Sequence, residues 1–171
     1  MAKQTLTVDI YVKELTYDIQ NKTYLTGRSR YDGKNDEVAA NMKASEDDED
    51  MNQILRSIGN ALGNIKTELS EYMSDTALMA NNIQLTPPVT DNEKKTITLT
   101  MPSNYNAATR DSIANGIHQY IVNSSIAEWF TITNKADAAD YANLSVANLD
   151  TIRTAINKRV APTRPTVVAT P

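Results

Sequence analysis

Cysteine is absent from this 171-residue chain, and histidine, tryptophan and phenylalanine occur once each. Without thiols the chain can hold no disulfide scaffold, no thiolate zinc site and no cysteine nucleophile. A small secreted domain would usually carry disulfide staples, so an intracellular site of assembly is the simpler expectation. Glycine is scarce, at five residues, which argues against a loop-rich β-sandwich or barrel. Aromatics are few and eight of them are tyrosine, so the core must be mostly aliphatic. Long apolar runs are missing too. No stretch approaches the ~18 apolar residues of a membrane span. The opening "MAKQTLTVDIYV" alternates polar and apolar residues, where a signal peptide needs a continuous run. A soluble protein without membrane contact is expected.

What is present is 40% hydrophobic residues, enough for a modest core, and a net charge of −4 that is unevenly spread. Acidic groups dominate the first half. From Ile152 onward there are only cations: Arg153, Lys158, Arg159 and Arg164. A dedicated nucleic-acid binder would show a broad basic surface, because phosphate contacts supply most of its affinity. A basic end alone argues against DNA as the main partner and suits an acidic protein surface.

Period-two alternation marks two strands. In "TLTVDIYV", Leu6, Val8, Ile10 and Val12 share one face; in "KTITLTM", Ile97, Leu99 and Met101 do. The two are expected to pair. A third extended piece is expected at "NKTYLTGRSRY", with Gly27 as a bend or bulge. Residues 32–49 and 75–95 read as loop insertions.

Met51, Leu55, Ile58, Leu62, Ile65, Leu69 and Tyr72 recur at spacings of four and three, with Ile54 and Ala61 widening the stripe. This predicts a helix, capped by Ser45, with the acids of "EDDED" where the helix dipole favours negative charge. Gly59 and Gly63 either weaken that helix or admit another backbone closely. A second helix is expected from near Asn106 to Trp129 and Phe130, with Ile113, Ile117, Tyr120, Ile121 and Ser124 on one face. A third runs from Lys135 to Arg159 with a narrow stripe of Ala138, Ala142, Ser145, Leu149, Ile152 and Ile156. The expected architecture is α+β: a three-helix core with a small sheet from N-terminal and central strands. It forms one domain over residues 1–159, followed by an extended Pro-rich arm over 160–171.

No constellation signals catalysis. His118 reads as a helical histidine or an isolated acid/base group. The acidic run lacks the spacing of a calcium loop. "GNALGNIK" lies inside a heptad pattern rather than between strand and helix, so it is no phosphate loop. No catalytic residue, metal or cofactor is therefore expected. Trp129, Phe130 and Tyr141 are the expected core anchors.

The stretch "IAEWFTITNKADAADYA" (126–142), then "LDTIRTAINKR" (149–159) and "PTRP" (162–165), resembles a group of virion proteins from crass-like tailed phages of Bacteroides-type gut bacteria. The pattern is an aromatic pair, a Thr-Asn-Lys turn, a Tyr-containing helix and a basic end closed by Pro-x-Arg-Pro. It covers about the last third of the chain, and residues 32–90 depart from it. The resemblance implies a head–tail connector, or neck, protein: a homo-oligomeric ring, twelve-fold if matched to the portal, between portal and tail proteins. It implies a place in the virion after synthesis in the bacterial host's cytoplasm, with passive contact to DNA in the channel. In such a ring the arm would clamp a neighbour through Arg159, Pro162, Arg164, Pro165 and Val167. A tail-terminator or tail-tube component is the structural alternative; a small DNA-binding or packaging-associated protein is the alternative of another class.

Overall fold

The computed structural model describes residues 3–73 and 89–162. Within them the chain is α+β and mostly helical. Strand β1 (Gln4–Tyr11) leads into α1 (Val12–Ser29), α2 (Asp36–Met42) and α3 (Asp48–Glu68). Then come β2 (Lys94–Met101), α4 (Arg110–Thr133) and α5 (Lys135–Ile156).

The two strands form an antiparallel pair in an unbroken register from Gln4 opposite Met101 to Tyr11 opposite Lys94. The alternation works as its period demands. Val8, Ile10, Ile97, Leu99 and Met101 are buried, while the threonine face is turned outward. On that outer face Asp9 accepts hydrogen bonds from Thr96 (2.8 Å) and Lys94 (3.1 Å), which hold its carboxyl below the usual range. Val12, grouped with the strand by pattern, is instead the fully buried first residue of α1.

Residues 21–31 are not extended, as the sequence suggested; most of them complete α1. The threonine hydroxyls of α1 donate to carbonyls one turn back: Thr16 to Val12, Thr23 to Ile19 and Thr26 to Lys22. Satisfied in this way, the hydroxyls no longer compete with the helical backbone. The buried residues Leu15, Ile19, Thr23 and Gly27 keep helical spacing. Gly27 is no bulge. A Cβ there would stand 2.6 Å from the Ala39 carbonyl oxygen, so the residue lets α2 rest directly on α1. The segment 32–49, expected as loop, thus contains a helix, and among the described residues five α-helices stand where three were expected.

In α3 the buried line runs through Ile54, Ile58, Ala61, Leu62 and Ile65, while Met51 and Leu55 are only half-buried. Asp47, not Ser45, occupies the N-cap position. Ser45 instead sends its backbone N–H (2.9 Å) and hydroxyl (2.6 Å) to the Asp50 carboxylate, fastening the helix entry. The acids Asp48, Glu49 and Asp50 form the first turn, where the dipole favours them. Close packing at Gly59 and Gly63 is not found among the described residues. Gly59 meets only Val89 at ordinary contact distance, and nothing lies within 4 Å of a Cβ at Gly63. Gly63→Ala is therefore expected to stabilise the fold by up to about 1 kcal/mol through helix propensity; a urea titration showing a loss would mean that position 63 is covered.

Helix α4 is the centre of the fold. The Asn106 side chain accepts from the Ala108 N–H at the short turn that precedes it. Its buried residues, among them Ile113, Ile117, Val122, Asn123, Ile126 and Phe130, point in several directions. It packs on α1, α3 and α5 together, which is why no single apolar face describes it. Ser124, expected on that face, is only half-buried. A one-residue break at Asn134 reverses the chain into α5. Contacts between Phe130 and Tyr141, Gly116 and Ile152, and Thr109 and Ala155 show that the two helices run antiparallel. Within the expected α5 stripe, Ser145, Leu149, Ile152 and Ile156 are buried, whereas Ala142 is exposed. The helix ends at Ile156 and not at Arg159, because the chain there turns to pair elsewhere.

Candidate functional site

That turn builds the root of the arm. Tyr105 and Arg159 form an isolated antiparallel bridge, with Asn106 N–H donating to Lys158 O (3.1 Å) and Val160 N–H to Asn104 O (2.9 Å). Tyr105 is buried beneath it. The Thr109 hydroxyl reaches the Ala155 carbonyl at 2.9 Å, tying the start of α4 to the end of α5. Arg159 donates through Nη1 to Ile156 O (2.7 Å), so its guanidinium caps the last turn of α5, where the dipole favours a cation. Its side chain nevertheless remains exposed, as do Val160, Ala161 and Pro162. Beside this root lies a shallow cleft of about 380 Å³ between Ser112, Asp150, Thr154 and Lys158. Arg164, Pro165 and Val167 lie outside the described residues.

The three aromatic anchors come together at the other end of the α4–α5 hairpin. Phe130 is fully buried and meets Tyr141 edge to face, with centroids 5.4 Å apart. Trp129 is buried and donates its indole N–H to Met42 O at 2.9 Å, which ties α4 to the end of α2. Tyr141 is only partly buried, its ring on Phe130 and its hydroxyl 2.8 Å from Thr26 Oγ1.

That hydroxyl belongs to a polar ladder the sequence reading missed. Asp18, Lys22 and Thr26 on α1 and Arg30 at its C-cap stand four residues apart, and each meets a partner across the seam. Asp18 lies 2.8 Å from His118 Nε2. Lys22 donates to Gln119 (2.7 Å) and to the buried Asn123 (3.2 Å). Thr26 meets Tyr141, and Arg30 makes a two-point ion pair with the buried Asp137, which Asn134 also supports. Burial pushes the Lys22 ammonium below the ordinary lysine range, opposed by the nearby Asp18 carboxylate. The i, i+4 spacing was visible in the sequence. It carries no meaning in an extended segment, since residues four apart in a strand stand about 13 Å from one another, whereas in a helix they stack one turn apart.

The ladder floors a shallow groove of about 530 Å³ whose rims are the half-exposed Leu25 and Leu144. On the adjoining face of α1, Tyr17 and Tyr24 are exposed, with the Lys43 ammonium 5.8 Å from the centre of the Tyr24 ring. Chemically, the ladder locks α1 to the α4–α5 hairpin, while the rims and tyrosines leave apolar surface facing outward. Among the described residues no group of three or more acids and histidines could hold a metal ion. None of the described helices is long and apolar enough to cross a membrane. Comparison with family models, curated proteins and solved structures finds no match to this chain.

Proposed function

We propose that this protein is a structural component of a tailed-phage virion, a subunit of a homo-oligomeric ring at the head–tail junction between portal and tail. The observation that carries this reading is how the basic, proline-punctuated end leaves the fold. It is pinned by main-chain bonds at 158–160 and then emerges exposed at Ala161 and Pro162. A rooted arm of this kind delivers contact area to a neighbour over a long reach, without disturbing the subunit that supplies it. The resemblance of residues 126–165 to neck proteins supports the same role. So does the exposed apolar surface of α1 and α5, at Tyr17, Tyr24, Leu25 and Leu144, which a neighbouring subunit would cover.

Light scattering on the full chain and on a chain lacking residues 163–171 tests the proposal. The full chain is expected to form a discrete ring, and the truncated chain smaller species that still unfold cooperatively, because the bridge at 158–160 is retained. A monomer in both cases, or unfolding of the truncated chain, would count against it. Binding to purified portal, rather than to tail tubes, separates a neck ring from a tail terminator. Strongly salt-dependent binding to duplex DNA would favour the packaging alternative.

A further inference from the structure

Strand β1 is an undefended edge. Among the described residues it pairs only with β2, while the far side of β2 is met by the Met73 bridge to Leu99. An open edge presents a row of unpaired N–H and C=O groups, and proteins usually blunt it with proline, lysine, a bulge or a short strand. Gln4–Tyr11 has none of these. It is eight residues long, in unbroken register, without proline, glycine or lysine, and its single charge, Asp9, is paired with Lys94.

The same sequence contains one short segment suited to fill such an edge. Thr166–Thr170 reads "TVVAT", mostly β-branched, with prolines only at its two flanks, 165 and 171. Proline cannot donate to a ladder, so flanking prolines confine the segment to one run of pairing on an edge. Resting on the ring reading above, we propose that the outer edge of β1 is a strand-addition site for Thr166–Thr170 of a second copy of this chain. Main-chain hydrogen bonds would supply the affinity and the two valines the register. A second copy is favoured over the same chain by the linker. Proline restricts its own φ and biases the residue before it toward extended backbone, and this linker carries that bias twice, at Ala161-Pro162 and Arg164-Pro165. This sequence bias toward extended backbone disfavours a reversal of 161–165 onto the subunit's own strand.

Because the chain has no cysteine, introduced pairs report only themselves. One full-length chain carries Thr7→Cys on the exposed face of β1 and another carries Val168→Cys; the two are mixed and mildly oxidised. Thr5→Cys and Val167→Cys cover the neighbouring registers. A disulfide between the two chains is expected to form at least roughly tenfold faster than with Ala139→Cys on the exposed side of α5, since docking raises the effective concentration. A third chain carries both Thr7→Cys and Val168→Cys; a disulfide that forms within it but not between the mixed single-cysteine chains would overturn the proposal in favour of pairing within one copy. No cross-link above the control, in a protein that still forms rings by light scattering, would overturn strand addition and leave the ring reading standing. Neither rings nor cross-links would remove both.

Discussion

Phe130→Ala is expected to lower the unfolding free energy by about 3–5 kcal/mol, the usual cost of emptying a fully buried aromatic site. The ring is wholly buried near the C-terminal end of α4, and it receives the edge-to-face contact of Tyr141 from α5. Its removal leaves a cavity where the reversal at Asn134 holds both helices, so neighbours can collapse into the space only by breaking the reversal. A total stability of about 5–15 kcal/mol is ordinary for a folded protein, so this one change takes a large fraction of it. Tyr141→Phe keeps the ring contact and removes only the hydroxyl bonded to Thr26; it should cost about 1 kcal/mol. Urea titrations of both variants measure the difference. A Phe130→Ala loss no larger than that of Tyr141→Phe would mean that the hairpin is not packed around this ring.

Gly116→Ala has the second large effect, and its sign should depend on one partner. A Cβ at position 116 would stand 2.6 Å from Ile152 Cγ1 and 3.4 Å from Cδ1, in the contact between α4 and α5. In the wild-type background the substitution is expected to cost about 1–3 kcal/mol by overpacking. Ile152→Ala alone should cost about 2–5 kcal/mol, since Ile152 is fully buried. Combined, the new methyl enters the space Ile152 vacates, and alanine gains about 1 kcal/mol over glycine in helix propensity. In the Ile152→Ala background, Gly116→Ala should therefore become neutral or stabilising, a non-additivity that a double-mutant cycle in urea reads directly. Additive losses would mean that position 116 and Ile152 do not compete for the same space.

The two glycine stories show why some features can be read locally and others cannot. Gly59 and Gly63 drew attention as a pair inside a heptad helix, yet the close approaches fall at Gly27 and Gly116. A glycine's role depends on which element crosses it, and crossing is a property of the tertiary arrangement. The site divides in a similar way. The basic end and its prolines were legible as residues, but the pinning of the arm through Asn104, Tyr105 and Asn106 was not. These lie more than fifty residues away in sequence, and main-chain bonds leave no side-chain signature.

Local pattern sufficed for the two strands and their inward faces, the acidic start of α3, the rough span of α4 and the start of α5, and the burial of Trp129 and Phe130. Each rests on a period or composition confined to a few turns or a few strand residues. The continuation of α1 through residues 21–29, the presence of α2, and the polar seam of Asp18, Lys22, Thr26 and Arg30 depend instead on contacts between distant elements. In a threonine-rich stretch, local propensity leaves helix and strand close in free energy. The partners on α4 and α5, brought near by the fold, tip that balance.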